Sequence, residues 1–304
     1  MTFVQSCYLP SMTENRPIVT RFAPSPTGLL HLGHAYSALF AAKQAHEAGG
    51  RFLLRIEDID TGRCRTEFEM DIYEDLDWLG LDWETPVRRQ SAHMEDYADA
   101  LSRLDDLGFL YPCFCTRKDI QREIEAANHA PHIGPDGTLY PGTCRGLSED
   151  ERLFRKNEGA PFALRLNMSE ALSKVSRTLI WHDLDKGEFR AEPEKFGDVI
   201  LARKDTPTSY HLAVTVDDSL QGVTLVTRGE DLLEATHIHR LLQDLLGLDT
   251  PSYRHHGLLT CENGRRLAKR DKSLTIRALR DAGKMPAEVR VMAGTSAHGT
   301  NATA

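Results

Sequence analysis

The chain is poor in cysteine, with six in 304 residues: Cys7, Cys64, Cys113, Cys115, Cys144 and Cys261. So few, so unevenly spaced, exclude a secreted disulfide framework in a chain of this length. No apolar run approaches the roughly 18–20 residues that a membrane span requires, so no membrane partner is expected. The first 20 residues carry Glu14 and Arg16 and lack an apolar stretch ending in a small-residue cleavage site. They do not read as a signal peptide, and the expected location is cytoplasmic. Positive charge is also in deficit, with 37 Lys and Arg against 45 Asp and Glu, a net of −8. That excludes coating nucleic acid by bulk electrostatics, though not a local basic face. What remains is ordinary globular usage, 40% hydrophobic and 27% charged, with enough chain for a substantial core.

Residues 1–16 are polar and read as a frayed end. Ile18 to Phe22 is β-branched and aromatic, a short buried strand, and Pro24, Pro26 and Gly28 must break it. From His31, Ala35, Ala38, Leu39 and Ala42 recur at helical spacing up to Gly49-Gly50, and Arg51 to Ile56 reads as a second strand. Strand, loop, helix, strand predicts a parallel α/β nucleotide-binding unit. Residues 66–81 and 92–108 read as amphipathic helices. Between about 111 and 146, Pro, Gly, Cys and His replace periodicity, as in a small insertion, with mixed structure over 148–195 on its far side. The α/β pattern returns over 196–247, in runs Val199 to Ala202, Tyr210 to Val216 and Val223 to Val226, then a helix from Asp231 to Leu246. Little is left after Arg280, and 293–304 reads as a disordered tail. No internal repeat is present.

His31 and His34 share one face of the first turn of their helix, and Gly28 and Gly33 leave room for a ligand against the backbone. Free N–H groups and the helix dipole favour phosphate there, and two imidazoles could meet charge developing at phosphorus. An isolated H-x-x-H more often only caps a helix. The whole string from Arg21 through Phe22, Ala23, Pro24, Ser25, Pro26, Thr27 and Gly28 to His34 carries more. It resembles the N-terminal motif of class I aminoacyl-tRNA synthetases, in the glutamyl and glutaminyl branch, with His31-Leu32-Gly33-His34 standing where that family has HIGH.

Near the other end, Lys269-Arg270-Asp271-Lys272-Ser273 lies in a basic stretch with Arg265 and Arg266. Such a charge run alone is usually a solvated surface. Its place fits the family's KMSKS loop, and the resemblance implies that Lys272 stabilises the triphosphate during adenylate formation, with Mg²⁺ accompanying ATP. Arg270-Asp271 departs from the usual Met-Ser or Leu-Ser, while both lysines and Ser273 keep their positions.

A synthetase specific for glutamate must bind a carboxylate side chain and an ammonium together, which calls for a forked arginine and a carboxylate. Arg21, Glu57, Tyr210 and Arg228 all lie at or just beyond strand ends, where open α/β sheets place ligands; surface ion pairs are the plainer reading of Glu57 and Arg228. The resemblance implies a glutamate site of Arg21, Phe22, Ala23, Pro24, Ser25, Glu57, Tyr210 and Arg228. Arg21 is expected on the side-chain carboxylate and Glu57 on the ammonium.

Cys113-Phe114-Cys115 followed by Tyr140 and Cys144 could close a tetrahedral zinc site with a fourth ligand from His129, His132 or Tyr140. Spacing alone leaves zinc and buried thiols about even, and a histidine the commoner partner. C-x-C followed by Y-x-x-x-C between two synthetase halves resembles a short branch of the glutamyl family, which implies a structural zinc on Cys113, Cys115, Tyr140 and Cys144. Cys7, Cys64 and Cys261 read as plain thiols.

The resemblance covers about 17–280 and implies an α/β fold: a class I Rossmann-type parallel-sheet catalytic domain with a small zinc-binding insertion. Its halves would be 17–110 and 196–247, the insertion 111–195, and a basic loop with a helical remnant 248–292. Only 31 residues follow Ser273, so no anticodon-binding domain is expected. The short branch activates L-glutamate with ATP and esterifies it to the cyclopentenediol of queuosine in tRNA(Asp), as a monomer. Three rivals are a truncated synthetase charging the 3′ end of tRNA(Glu), a non-catalytic RNA- or amino-acid-binding paralogue, and an unrelated nucleotidylyltransferase.

Overall fold

A computed structural model describes residues 16–126, 133–135, 137–259 and 275–294. The first α/β unit is as the sequence predicts: β1 (Val19–Phe22), α1 (Leu32–Glu47) and β2 (Arg51–Ile56), with β1 and β2 parallel from Val19 opposite Arg51 to Phe22 opposite Leu54. Gly50 makes the return tight. A Cβ there would sit 2.0 Å from the Ile18 carbonyl oxygen, which accepts the Arg51 N–H at 2.8 Å. After α2 (Thr66–Trp78), β3 (Glu84–Arg89) pairs parallel to β2, and α3 (Met94–Asp106) follows.

The chain then leaves the sheet. β4 (Leu110–Cys113), α4 (Arg117–Ala126), the short hairpin β5 (Ile133–Gly134) and β6 (Gly137–Thr138), α5 (Glu149–Asn157), β7 (Ala163–Leu166) and α6 (Met168–Lys174) come next. β8 (Ile180–Asp183) and β9 (Gly187–Arg190) rejoin the main sheet although they fall within 111–195, the stretch expected to be insertion, while β10 (Ile200–Ala202), expected in the second half, pairs back onto β7. β10, β7 and β4 form an antiparallel sheet that carries Cys113 at its edge.

The return brings α7 (Tyr210–Leu220), β11 (Leu225–Gly229), α8 (Ala235–Leu246) and β12 (Ser252–His256), then α9 (Ile276–Asp281) and α10 (Pro286–Met292). β11 runs parallel to β12, β12 to β8, and β9 turns back on β8. β1 lies beside β11, with the Thr224 N–H on the Val19 carbonyl at 3.0 Å. The strand order is therefore β3-β2-β1, then β11-β12-β8-β9. The order reverses between β1 and β11, and a crevice at such a crossover is where doubly wound sheets take ligands.

The Tyr210 to Val216 run is helix, because the Ser209 hydroxyl caps its start by accepting from the Leu212 N–H. α9 and α10 fall within 248–292, where a helical remnant is expected. Val289 of α10 is buried, and Arg290 donates to the Leu79 carbonyl 211 residues away. One face of the sheet packs against α1, α2, α9 and α10 through Leu39, Ile72, Leu76 and Ile276. The other packs against α3, α7 and α8 through Tyr97, Trp181, Leu212 and Leu241. Among the described residues no helix is long and apolar enough to cross a membrane.

Candidate active site and a cysteine cluster

The proline turn after β1 is tied to the segment after β2: the Glu57 N–H bonds the Pro24 carbonyl at 3.0 Å, and the Arg65 N–H the Pro26 carbonyl at 2.9 Å. That stitching sets Glu57 beside Ser25. A cavity of about 520 Å³ lies at the strand ends, with Arg21, Phe22, Ala23, Pro24, Ser25, His31, Gly33, His34, Glu57, Tyr210 and Arg228 all in its lining. Lys269, Lys272 and Ser273 lie outside the described residues. The described residues flanking them reach the cavity: Leu258 and Leu259 line it, and Thr275 bridges His31.

His31 caps α1. Its Nδ1 accepts the Gly33 N–H at 3.1 Å, while the His31 N–H donates to Nδ1 of His34 at 3.2 Å. The rings stack with centroids 3.8 Å apart. A ring nitrogen that accepts from backbone N–H carries no proton, so each neutral imidazole keeps its proton on Nε2 as a donor. Gly33 is part of this geometry, since a Cβ there would lie 3.0 Å from Cε1 of His31. The pair caps the helix and also lines the cavity.

The two arginines differ in their partners. Arg21, 4% exposed, donates from Nε and Nη2 to Asp218 at 2.9 and 3.3 Å and from Nη1 to the Thr227 carbonyl at 3.1 Å. Burial opposes its charge, but Asp218 outweighs burial and holds the guanidinium above its ordinary value. The expected fork from Arg21 to a substrate carboxylate thus meets a residue already engaged by a protein carboxylate. Arg228, 6% exposed, donates to His255 Nε2 at 3.1 Å, the Tyr210 hydroxyl at 3.3 Å, His239 Nδ1 at 3.2 Å and the Thr236 hydroxyl at 2.6 Å. All of these are neutral, and among the described residues no carboxylate pairs with Arg228. Burial, helped by Arg228, pushes His255 down to about 4 and His239 well below the usual imidazole range. Both rings therefore accept, and His255 passes its own N–H from Nδ1 to Asp183 at 2.8 Å.

Among the described residues the Glu57 carboxylate takes no hydrogen bond. Burial pushes it up to about 7, against the pull of Arg55 and Arg21. A cation arriving there would draw it back to the ionised form. The cavity thus offers an anion site at Arg228, a cation site at Glu57 and N–H donors at a helix N-terminus.

Beneath it lies a network that sequence reasoning missed. Asp218 also accepts from Arg55 at 2.6 Å. Asp217 accepts from Arg88 at 2.7 Å, Gln90 at 2.8 Å and the Tyr97 hydroxyl at 3.0 Å. The available signal was an Asp-Asp pair closing the apolar run 212–216.

Away from the cavity, Sγ atoms of Cys113, Cys115 and Cys144 lie within 4.8 Å of one another, with Cys115 to Cys144 at 3.4 Å. The Tyr140 hydroxyl is 3.5 Å from the Cys115 sulfur and accepts the Cys144 N–H at 2.8 Å. Tetrahedral zinc with Zn–S near 2.3 Å spaces its sulfurs by roughly 3.8 Å, so the donor set fits that ion. The Arg165 guanidinium carbon lies 3.8 Å from the centroid of the Tyr140 ring. His129 and His132 lie outside the described residues. Cys64 stands apart, near the end of β2.

Comparison with known proteins agrees with this geometry. Residues 17–300 match the family model for tRNA synthetases class I (E and Q), catalytic domain. The Glutamyl-Q tRNA(Asp) synthetase of Rhodobacter capsulatus is 47% identical over 288 residues, covering 91% of this chain and 100% of that protein. The glutamate–tRNA ligase of Aquifex aeolicus is 39% identical over 271 residues, 88% of this chain and 55% of its own length. A crystal structure of a glutamate tRNA ligase from Elizabethkingia meningosepticum with its amino acid superimposes with a TM-score of 0.71 at 30% identity, covering 84% of this chain and 53% of that one. The chain spans about half the length of these two ligases.

Proposed function

The chain belongs to the class I tRNA synthetase (E and Q) catalytic-domain family, and from that premise we propose that it activates L-glutamate with ATP and esterifies it to the cyclopentenediol of queuosine at wobble position 34 of tRNA(Asp). It is an enzyme of the aminoacyl-tRNA ligase type, a class that works with ATP and Mg²⁺. The observation that carries the glutamate reading is the pairing of Arg228, which meets no carboxylate among the described residues, with Glu57, whose carboxylate takes no hydrogen bond among them, in the cavity that the histidine pair also lines. An amino acid with an acidic side chain matches both.

Arg228 and the Tyr210 hydroxyl receive the side-chain carboxylate, and Glu57 the ammonium. The α-carboxylate then points toward His31 and His34. One of its oxygens attacks the α-phosphorus of ATP and pyrophosphate leaves, while the Nε2–H groups of the two histidines meet the charge that builds on the phosphate oxygens. Lys269, Lys272 and Ser273 take the triphosphate by their resemblance to the family's loop, and Mg²⁺ screens the phosphate charges. In the second step a hydroxyl oxygen of the acceptor bonds the acyl carbon. The acyl–phosphate bond breaks toward AMP, and the hydroxyl proton passes to solvent. No side chain forms a covalent intermediate.

Relatives of comparable length named for glutamyl-Q tRNA(Asp) support queuosine as acceptor. Cys113, Cys115, Cys144 and Tyr140 would hold one zinc ion. Four protein ligands would leave no open position, so the ion would serve to cross-link the segment around Cys113 to that around Cys144. Metal analysis of purified protein should find one zinc per chain, with loss in Cys115→Ser.

The deciding experiment supplies ATP, Mg²⁺ and labelled glutamate with tRNA from queuosine-containing cells and from cells unable to make queuosine. Label confined to queuosine-containing tRNA(Asp) is expected. Equal labelling of tRNA(Glu) in both pools would make the protein a short conventional synthetase.

A further inference from the structure

A second cavity of about 280 Å³ shares Ser25, Glu57 and Tyr210 with the first, and neither histidine nor Arg228 is in its lining. Its own walls include Asp60, Arg63, Cys64 and Arg203. We propose that this cavity receives the vicinal diol of the acyl acceptor. The proposal rests on the acyl-transfer reading above and adds to it the place where the second substrate enters.

Position is the first argument. The ammonium and the acyl carbon of glutamyl adenylate are attached to the same carbon atom. A carboxylate that holds the ammonium therefore fixes the acyl carbon two bonds away. Glu57 is that carboxylate and stands in the wall common to both cavities. A hydroxyl coming through the second cavity reaches the acyl carbon from the side that lacks the histidine pair and its phosphate.

Chemistry is the second. Oδ2 of Asp60 accepts from Nε of Arg63 at 2.7 Å and lies 3.8 Å from Nη1 of Arg203. No other side chain among the described residues bonds its Oδ1. The hydrogen bond from Arg63 holds the carboxyl below its ordinary range, so it stays ionised and can only accept. A vicinal diol presents two adjacent O–H groups. One can donate to Asp60 while the other oxygen is left for the acyl carbon, as carboxylates hold ribose hydroxyls in dinucleotide sites. Arg63, whose side chain is 72% exposed, and Arg203 stand beside this carboxylate where they can meet backbone phosphates flanking the diol. The ligand class is therefore a cis-diol carried on nucleic acid. Two sources share that chemistry: the cyclopentenediol of queuosine and the ribose of a 3′-terminal adenosine.

The test compares Asp60→Asn, which removes the charge at constant shape, and Cys64→Phe, which fills the cavity, with the parent protein. Glutamate-dependent ATP–pyrophosphate exchange reads the first step. Transfer of labelled glutamate to tRNA from queuosine-containing and queuosine-deficient cells reads the second. Both variants should keep exchange within about twofold of the parent and lose at least about tenfold in transfer. Exchange falling in parallel with transfer, or transfer unchanged in Asp60→Asn, overturns the proposal; Asp60→Asn decides alone if Cys64→Phe does not fold. Parent label on the 3′ ends of queuosine-deficient tRNA would refute the queuosine reading separately. The cavity assignment then requires both variants to lose that label instead.

Discussion

The ends of β1 and β11 each place an arginine in the same cavity, at nearly equal burial, and with opposite kinds of partner. Arg21 is matched by Asp218, although it lines the cavity. Arg228 is surrounded by two histidines, a tyrosine and a threonine that orient it without cancelling its charge. Burying an unmatched charge is costly, and the cost is recovered only when an anion binds. The lesson is that a buried arginine is identified as a binding group by what its partners are, not by how deep it lies.

The largest effect should come from removing the match. Asp218→Ala leaves Arg21 and Arg55 buried without their shared carboxylate and should lower the unfolding free energy by about 3–5 kcal/mol in urea titration. A loss below about 1 kcal/mol would erase the distinction between the two arginines. The histidines around Arg228 give the next effect. His255 binds its proton less readily folded than unfolded, so the unfolded chain takes up more protons as pH falls from about 6.5 to 4. Stability should fall across that window by up to about 3 kcal/mol from this ring, and His255→Asn should flatten the curve.

Arg228→Ala should raise KM for glutamate by about two orders of magnitude, with kcat for exchange changed far less. The same substitution at Arg21 should act mainly on stability, and an equal rise in KM from both would break the comparison. The smallest effect concerns Glu57, raised to about 7. An ammonium binds the ionised carboxylate, so KM for glutamate should fall by about tenfold from pH 6 to pH 8. Glu57→Gln should remove that dependence in the same exchange assay.

The site was legible to the extent that its residues sit in short contiguous strings. Arg21 to His34 carries a strand end, a turn and a helix cap, each with local determinants, and the structure puts every described member of the predicted set in one lining. What was not legible is what those residues do to one another. That Arg21 is matched and Arg228 is not depends on Asp218, 197 residues after Arg21, and on His255 and His239, which no local pattern marks as acceptors. The fold divides similarly. β1, α1 and β2 follow from local periodicity, whereas the place of α10 is set by burial of Val289 and by the contact of Arg290 with Leu79, across a separation that periodicity does not sense.

The seam between β1 and β11 also sets an order in time. At about 5–20 residues per second, the ribosome needs roughly 10–40 s to travel from Arg21 to Asp218. Arg21 and Arg55 precede the carboxylate they share by 197 and 163 residues. The cavity is complete only with β11 laid against β1, since Thr227, Arg228 and Gly229 line it. A chain that stops before α7 carries His31 and His34 but none of Tyr210, Asp218 and Arg228, so it holds the motif without the anion-binding half of the cavity.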